Sequence, residues 1–533
     1  FDDEEHQIVG NSIYGWIKSK TTCGFGSFKV FYFIEFEDEI FVNGISEHKI
    51  IVKVNNKSVI GKDDYPVKSD NNKSSIKIGF SSVNSDYAKD EIKPYSLSDT
   101  RSKTIEIWNK LLSRIKVSGD EYEVNLFYTL LYRILQSPYL ISEEDDTYRN
   151  IDGRTEKSDN DVYHGWAVWD NYRSQLPFLS LFYSDYYKNM VSSLAEIFQY
   201  GRHDWSEDNE PAQTVRTEHA VVVLLDAYRK GYNLDFNSIL DSLKADEHKY
   251  NYDTPDKALE SYYDIWALSE IMKISGDDKS YNYFRNKLDN YKDVWIKDFY
   301  DITAEDADSL KARELYQGTV WQYRWSVPFD INGLVNMIGS RKEYISQLDT
   351  YWKTNMHNQG NQPSLHVPIL YNAAGESWKS QQVIHDIIAD TVKQIYGAHT
   401  MYDKPYIGRI YRNQPEGLMY EMDDDLGTMS AWYCFASMGL FPACVGHPVY
   451  YLNAPLFENI EIDFGDKTFE IAVEDYDKNH KYIEKVILNN KQIKRNYLYH
   501  KEIISGGKLI IYTSDEPNKE FGSGNYYQTN IKR

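Results

Sequence analysis

Three adjacent carboxylates, Asp423, Asp424 and Asp425, sit inside the stretch 414–446, QPEGLMYEMDDDLGTMSAWYCFASMGLFPACVG. Successive like charges repel, and a helix start just beyond them relieves only part of that cost. A solvated acidic loop is one reading of such a triplet. The other is a carboxylate pair held at the mouth of a pocket, where proton transfer is the available chemistry. The flanks favour the pocket, because Met429, Trp432, Tyr433 and Phe435 follow at once and do not belong to an open linker. Gly427 breaks the backbone, and Thr428 or Ser430 is expected to cap a mostly buried helix over 429–440.

A second constellation lies at 163–182, YHGWAVWDNYRSQLPFLSLF, where Trp169, Asp170 and Arg173 fall close together before an apolar run. An ordinary Asp–Arg pair at a helix start explains it equally simply. The functional alternative is a sugar clamp, with an aromatic face and a carboxylate that takes two vicinal hydroxyls. His219 stands alone at another helix start, and a lone histidine is more often structural.

The elements that must position these groups follow from periodicity. Residues 1–95 carry alternating, β-branched and aromatic segments at 27–36, 41–44, 48–54 and 74–83, which suit an antiparallel sandwich. From about residue 98 the period becomes helical, with Ile105, Trp108, Leu111, Leu112 and Ile115 on one face. Further helices are predicted over 121–136, 174–184, 186–201, 217–230, 256–275, 278–298, 329–338, 341–354 and 376–395. So many helices with no repeat suggest a toroid rather than a solenoid. Strand patterns return from about 449. The chain thus divides into 1–95 (a β-sandwich portion), 96–448 (helical, with the chemistry on its loops) and 449–533 (a closing β-region).

Composition narrows the partners. Lys and Arg number 59 against 81 Asp and Glu, a net charge of −22, which argues against a nucleic-acid binder. Three cysteines, Cys23, Cys434 and Cys444, make no disulfide framework, and Cys434 reads as a buried small hydrophobe. No apolar run is long enough to span a membrane. The chain starts at Phe1, so the missing signal peptide does not argue for the cytoplasm. Asn56 and Asn72 head N-x-S sequons, a weak pattern by itself.

The run PEGL…DDDLGTMSAWYCFASMGLFPACVGHPVYYLNAPLF resembles glycoside hydrolase family 92, the calcium-dependent exo-acting α-mannosidases. The resemblance extends over roughly 25–520 and implies an α+β multidomain architecture, an (α/α)6 toroid flanked by β-sandwich-type regions, with the first half of the N-terminal sandwich expected to be missing. In the family the acidic loop reads D-E-D, and its outer aspartates, here Asp423 and Asp425, activate water. The family's W-D-x-[YF]-R implies that Asp170 contacts the terminal mannose, with Arg173 equally suited to structural support. A Tyr-His pair in the family makes His219 a wall residue of the site. ALESYYDIW resembles E-x-x-Y-D-x-W, with packing and sugar contact equally open for Glu260, Tyr263 and Asp264.

The segment LYQGTVWQYRWSVPFDING resembles the family's Y-x-E-G-N-x-W-Q-Y-x-W-x-V-P-x-D, whose glutamate is the general acid. Gln317 stands in that place, while Trp321 and Gln322 are kept. An amide donates a hydrogen bond but cannot deliver a proton. A sugar alkoxide needs protonation as it leaves, whereas a phosphate monoester, with a second pKa of roughly 6, leaves without it. A family branch that cleaves mannose-1-phospho-6-mannose is similar in carrying Gln here. NQGNQPSLHVPILYN resembles the family's calcium-ligating segment and implies Asn361 and Gln362 as Ca2+ ligands, Gln362 replacing a glutamate and His366 structural or nearby. An apparent insertion at 396–413 adds His399, Lys404, Arg409 and Arg412, either a solvated loop or a cationic lip for phosphate. The expectation is a secreted, lumenal or periplasmic inverting enzyme that releases α-linked mannose from a glycan or mannosyl phosphodiester. The rivals are an ordinary α-mannosidase and an inactive mannose-binding protein.

Overall fold

The computed structural model describes residues 3–20, 27–46, 49–54, 57–59, 75–200, 217–303, 315–394 and 405–531. Asn56, Asn72, Cys23, His399 and Lys404 lie outside the described residues. The chain divides into two compact units, one of residues 1–106, 138–166 and 202–217, the other of 107–137, 167–201 and 218–533.

In the first unit Asp3–Val9, Ser12–Lys20, Ser27–Phe36 and Ile76–Ser81 form an antiparallel sheet in that order. Alternation works as the pattern requires: Ile13 opposes Ile34, and Ile13, Tyr32 and Phe36 point to one buried face. Ile40 and Val52, from a separate three-stranded sheet, complete that core, so two sheets pack face to face. Two short hairpin pairs follow, Tyr139–Leu140 with Tyr163–His164 and Thr147–Arg149 with Thr155–Lys157.

Most of the helices lie in the second unit, while Ser85–Asp90 belongs to the first. Most run close to their expected bounds, among them Glu121–Ile134, Gln175–Phe182, Ser184–Tyr200, Ala220–Lys230, Pro255–Ile274 and Arg341–Lys353. The expectation differs from the structure at four places. Residues 278–298 are two helices, Asp278–Leu288 and Tyr291–Phe299, parted at Asp289–Asn290. The helix expected over 376–395 ends at Ala389, and Val392–Gln394 becomes a strand paired with Tyr406–Gly408. Leu97–Leu112 is a helix with no fully buried residue; Trp108, Leu111 and Leu112 are half-buried, and the Trp108 ring lies 4.4 Å from Tyr132. Ile115 leaves the helix and opens the strand Ile115–Ser118, which pairs with Asn459–Asp463 at the edge of the six-stranded closing sheet. A β-branched residue at a helix end is ambiguous locally, and the distant partner decides it.

The helix Thr428–Ser437 is buried at every position, where the prediction was 429–440. It packs on Glu121–Ile134 and Gln175–Phe182, with Phe435 edge-on to Phe178 at 5.0 Å. Its Trp432 Nε1 donates to the Leu365 carbonyl at 2.8 Å. That bond couples the start of the helix to the segment carrying Asn361 and Gln362.

Candidate active site

The acidic triplet is split by its surroundings. Asp424 turns inward, bonding Arg133 at 2.8 Å and accepting from the backbone N and Oγ of Ser430 at 2.9 and 2.7 Å. Asp424 therefore caps the helix from outside, whereas Ser430 and Thr428 had been the expected caps; Thr428 Oγ1 instead donates to the Asp170 carbonyl at 2.9 Å. Burial raises the Asp424 carboxyl above its usual range despite Arg133. Asp423 is exposed, and Asp425 is half-buried.

The backbone explains the split. Asp425, Leu426 and Gly427 have φ of 48°, 53° and 86°, three left-handed residues in succession. Such a conformation costs a non-glycine residue about 1–2 kcal/mol, and it persists only where neighbours enforce it. Here Ser137 Oγ holds the Leu426 carbonyl at 3.1 Å and Ser174 Oγ holds that of Thr428 at 2.7 Å. At Gly427 a Cβ would sit 3.0 Å from the Ile134 Cα, so the turn also needs glycine for space.

Asp425 faces a second wall. Its Oδ2 accepts from Gln362 Nε2. Asn361 Oδ1 accepts from the Gln362 backbone N at 2.9 Å, and Asn361 Nδ2 donates to the Gln317 carbonyl at 3.0 Å. A relay Gln317–Asn361–Gln362–Asp425 thus brings together residues from three distant segments. Gln317 is itself left-handed, φ 52°, and its Nε2 lies 3.3 Å from the Tyr316 hydroxyl. Burial pushes the Asp425 carboxyl up to about 6, helped by the charges of Asp423 and Asp424 and opposed by the Gln362 hydrogen bond and by Arg173.

Trp169 and Arg173 converge on Glu260. The indole Nε1 donates to it at 2.7 Å and the Arg173 guanidinium lies 3.6 Å away. Arg173 also donates to the Trp169 carbonyl and stacks over Tyr172 at 4.5 Å. Trp169 is only 1% exposed, its ring edge-on to Tyr316 at 5.2 Å, so the open aromatic face expected of a sugar clamp is covered. His219 sits at φ 68° before Ala220–Lys230, with Nδ1 bonded to Asp264 at 2.9 Å and its ring 4.5 Å from Tyr172. Trp321 donates to the Thr303 carbonyl at 2.6 Å. Gln322 spends both ends of its amide on backbone, accepting from Thr319 N at 2.9 Å and donating to Met356 O at 3.0 Å. Trp321 and Gln322, both expected substrate contacts, thus also frame the turn that carries Gln317. Arg409, for which a solvated loop or a cationic lip is the expectation, is bound by Glu123 at 2.9 and 3.1 Å and by the Ile388 carbonyl. Its charge is already neutralised. His366 bonds the Trp325 carbonyl at 2.8 Å, and burial lowers it to about 4, which fits a structural role.

Two supports escaped the sequence reading. Arg133 lies 291 positions from Asp424. Asp256, in the first turn of Pro255–Ile274, accepts from the Tyr316 backbone N at 2.6 Å and so anchors the residue before Gln317. In the sequence it looks like any acidic residue at a helix start.

The donors around Asn361, Gln362, Asp423 and Asp425 are oxygens, the type a calcium ion takes. Gln362 gives its NH2 to Asp425, which leaves Oε1 as its free donor. The set fits calcium in kind, with less negative charge than a glutamate at 362 would supply.

A model of the glycosyl hydrolase family 92 catalytic domain matches residues 85–515. The fold is that of the GH92 family glycosyl hydrolase ccman5, with a TM-score of 0.84, 20% identity and coverage of 99% of this chain and 78% of that one. A family GH92 α-mannosidase from Bacteroides thetaiotaomicron gives a TM-score of 0.79 at 22% identity, covering 97% and 74%. A family GH92 inverting mannosidase from the same species gives 0.77 at 21%, covering 98% and 78%. An uncharacterized secreted glycosidase of Arthroderma benhamiae is 29% identical over 228 residues, 42% of this chain and 27% of that protein. The mixed helical and sheet architecture of the chain matches these structures, a helical toroid with a β-sandwich region, as the sequence leads one to expect. The family match spans most of the chain, and the chain belongs to glycosyl hydrolase family 92.

Proposed function

We propose that this glycosidase is an exo-acting, inverting hydrolase of terminal α-linked mannose whose preferred substrate is a mannosyl phosphodiester. The observation that carries the reading is the relay that ties the backbone carbonyl of Gln317, whose side chain has no dissociable proton, through Asn361 and Gln362 to an Asp425 carboxyl raised to about 6. Asp425 takes a proton from the attacking water, and exposed Asp423 helps orient that water. Gln317 donates a hydrogen bond near the bridging oxygen. A phosphate leaving group, with a pKa of roughly 6, needs no acid. An inverting site requires roughly 6.5–9.5 Å between the base and the leaving-group residue.

Asp170 would meet the mannose hydroxyls, its carbonyl tied to the base of the acidic loop through Thr428. Calcium, held by Asn361 and Gln362, would supply positive charge against the sugar hydroxyls. The names of the structural neighbours, an α-mannosidase bound to mannoimidazole and an inverting mannosidase, support the sugar and the stereochemistry. The fungal relative's description as secreted supports an extracytoplasmic setting; no described helix is long and apolar enough to cross a membrane.

The deciding experiment compares a mannose-1-phospho-6-mannose substrate with α-mannobiose, each with and without a calcium chelator. Faster turnover of the phosphodiester, lost on chelation, is expected. Turnover of mannobiose alone overturns the phosphate assignment, and mannose binding without turnover of either substrate overturns the enzyme.

A further inference from the structure

His385, Asp386 and Asp390 present a ring nitrogen and two carboxylate oxygens within 4.8 Å of one another. His385 and Asp386 lie in the last turns of the helix Ser377–Ala389, and Asp390 follows it. The histidine makes the group more than an acidic cluster. Its Nε2 is 3.0 Å from the Lys478 carbonyl, which can only accept, so Nε2 carries the hydrogen. In the neutral ring Nδ1 then holds a lone pair. That atom is buried without a hydrogen-bond partner, in a residue only 3% exposed, and it faces Asp390 Oδ2 across 3.8 Å. Two acceptors so placed call for a cation between them. The two aspartates also stand at the negative end of the helix, where anions are disfavoured.

Lys481 answers part of this demand. Its Nζ is 2.6 Å from Asp386 and 2.6 Å from Asp390. Nothing in the pair satisfies Nδ1. Histidines that bind metals characteristically give their other N–H to a backbone carbonyl, as His385 does. We propose that His385 Nδ1, Asp386 and Asp390 form a site for a divalent transition cation of the zinc type, which Lys481 plugs when no ion is bound. One imidazole nitrogen with two carboxylates suits zinc or its neighbours better than calcium, which takes oxygen ligands. The group is separate from Asn361 and Gln362 in the chain. It joins the helix Ser377–Ala389 to the segment entering the strand Tyr482–Leu488, a seam already closed by the Ile483 N to Gln381 bond of 3.0 Å. An ion there would take its protein ligands from residues 385–390 alone and release Lys481 from both aspartates. The assignment does not rest on the mannosidase reading.

The test is calorimetric titration of the whole chain with Zn2+, after stripping with chelator and in excess Ca2+. One saturable site is expected. Lys481→Met, which removes the competing ammonium, is expected to bind at least 10-fold more tightly, and Asp390→Asn at least 10-fold more weakly. Co2+ spectra, sensitive to imidazole ligation, are expected to change on binding to the unmodified protein and to Lys481→Met, and not to Asp390→Asn. Equal zinc affinity of Lys481→Met and the unmodified protein overturns the proposal, as does undiminished binding by Asp390→Asn, whose partly exposed side chain leaves the fold little to lose.

Discussion

The two walls of the active site, the turn around Gln317 and the acidic loop around Asp425, are built alike and charged differently. Each places a non-glycine residue in the left-handed region, φ 52° at Gln317 and 48° at Asp425. Each is pinned from a distance, the first by Asp256 through Tyr316, the second by Arg133 through Asp424. One wall then offers only a neutral amide, and the other concentrates three carboxylates. The difference teaches where the ionisation of the candidate site resides: the Asp425 side, proposed as the base, titrates, and the Gln317 side, proposed to face the leaving group, does not.

The largest effect expected from breaking that asymmetry comes from the base. Asp425→Asn should lower kcat on the phosphodiester by about 10²–10⁴-fold, with substrate binding measured separately. A loss under tenfold would place the base elsewhere. Next is the opposite wall. Gln317→Glu supplies a proton donor and should raise turnover of α-mannobiose by about 10²-fold.

The pH profiles sharpen the same contrast. The unmodified enzyme should show kcat/KM rising through about 6 as Asp425 ionises, then level to pH 8, because Gln317 has no proton to lose. Gln317→Glu should add a falling limb. A falling limb already present in the unmodified enzyme would reveal another acid.

Smaller effects concern stability. Arg133→Met leaves the Asp424 carboxylate without its cation and should cost about 1–3 kcal/mol, read as a lowered denaturation midpoint. Asp425 works in the opposite sense. Its folded pKa, about 6, exceeds the ordinary 3.8, so the folded state holds the proton more tightly and stability falls as pH rises between those values. Asp425→Asn should therefore raise Tm by about 1–3 °C at pH 7.5, and the gain should vanish near pH 4. An equal gain at both pH values would show that strain, not charge, was relieved.

Much of this molecule could be read from its residues taken locally. Period-two and period-3.6 patterns located most strands and helices, because burial of one face imposes its repeat on the chain. The DDDLGT run and the amide at 317 mark the candidate site in the sequence, because chemistry restricts residue type. Tertiary structure decided what depends on partners far away in sequence. It alone sent Ile115 into a strand against Ile462 and gave Arg173 to Glu260. It also withdrew Arg409 into a pair with Glu123 and covered the face of Trp169. Above all, it separated three identical aspartates into an inward cap, an exposed neighbour and a carboxyl raised by burial. The physical reason is that a side chain's type fixes what it can do, while its charge state and free faces depend on which groups the fold brings within a few ångströms.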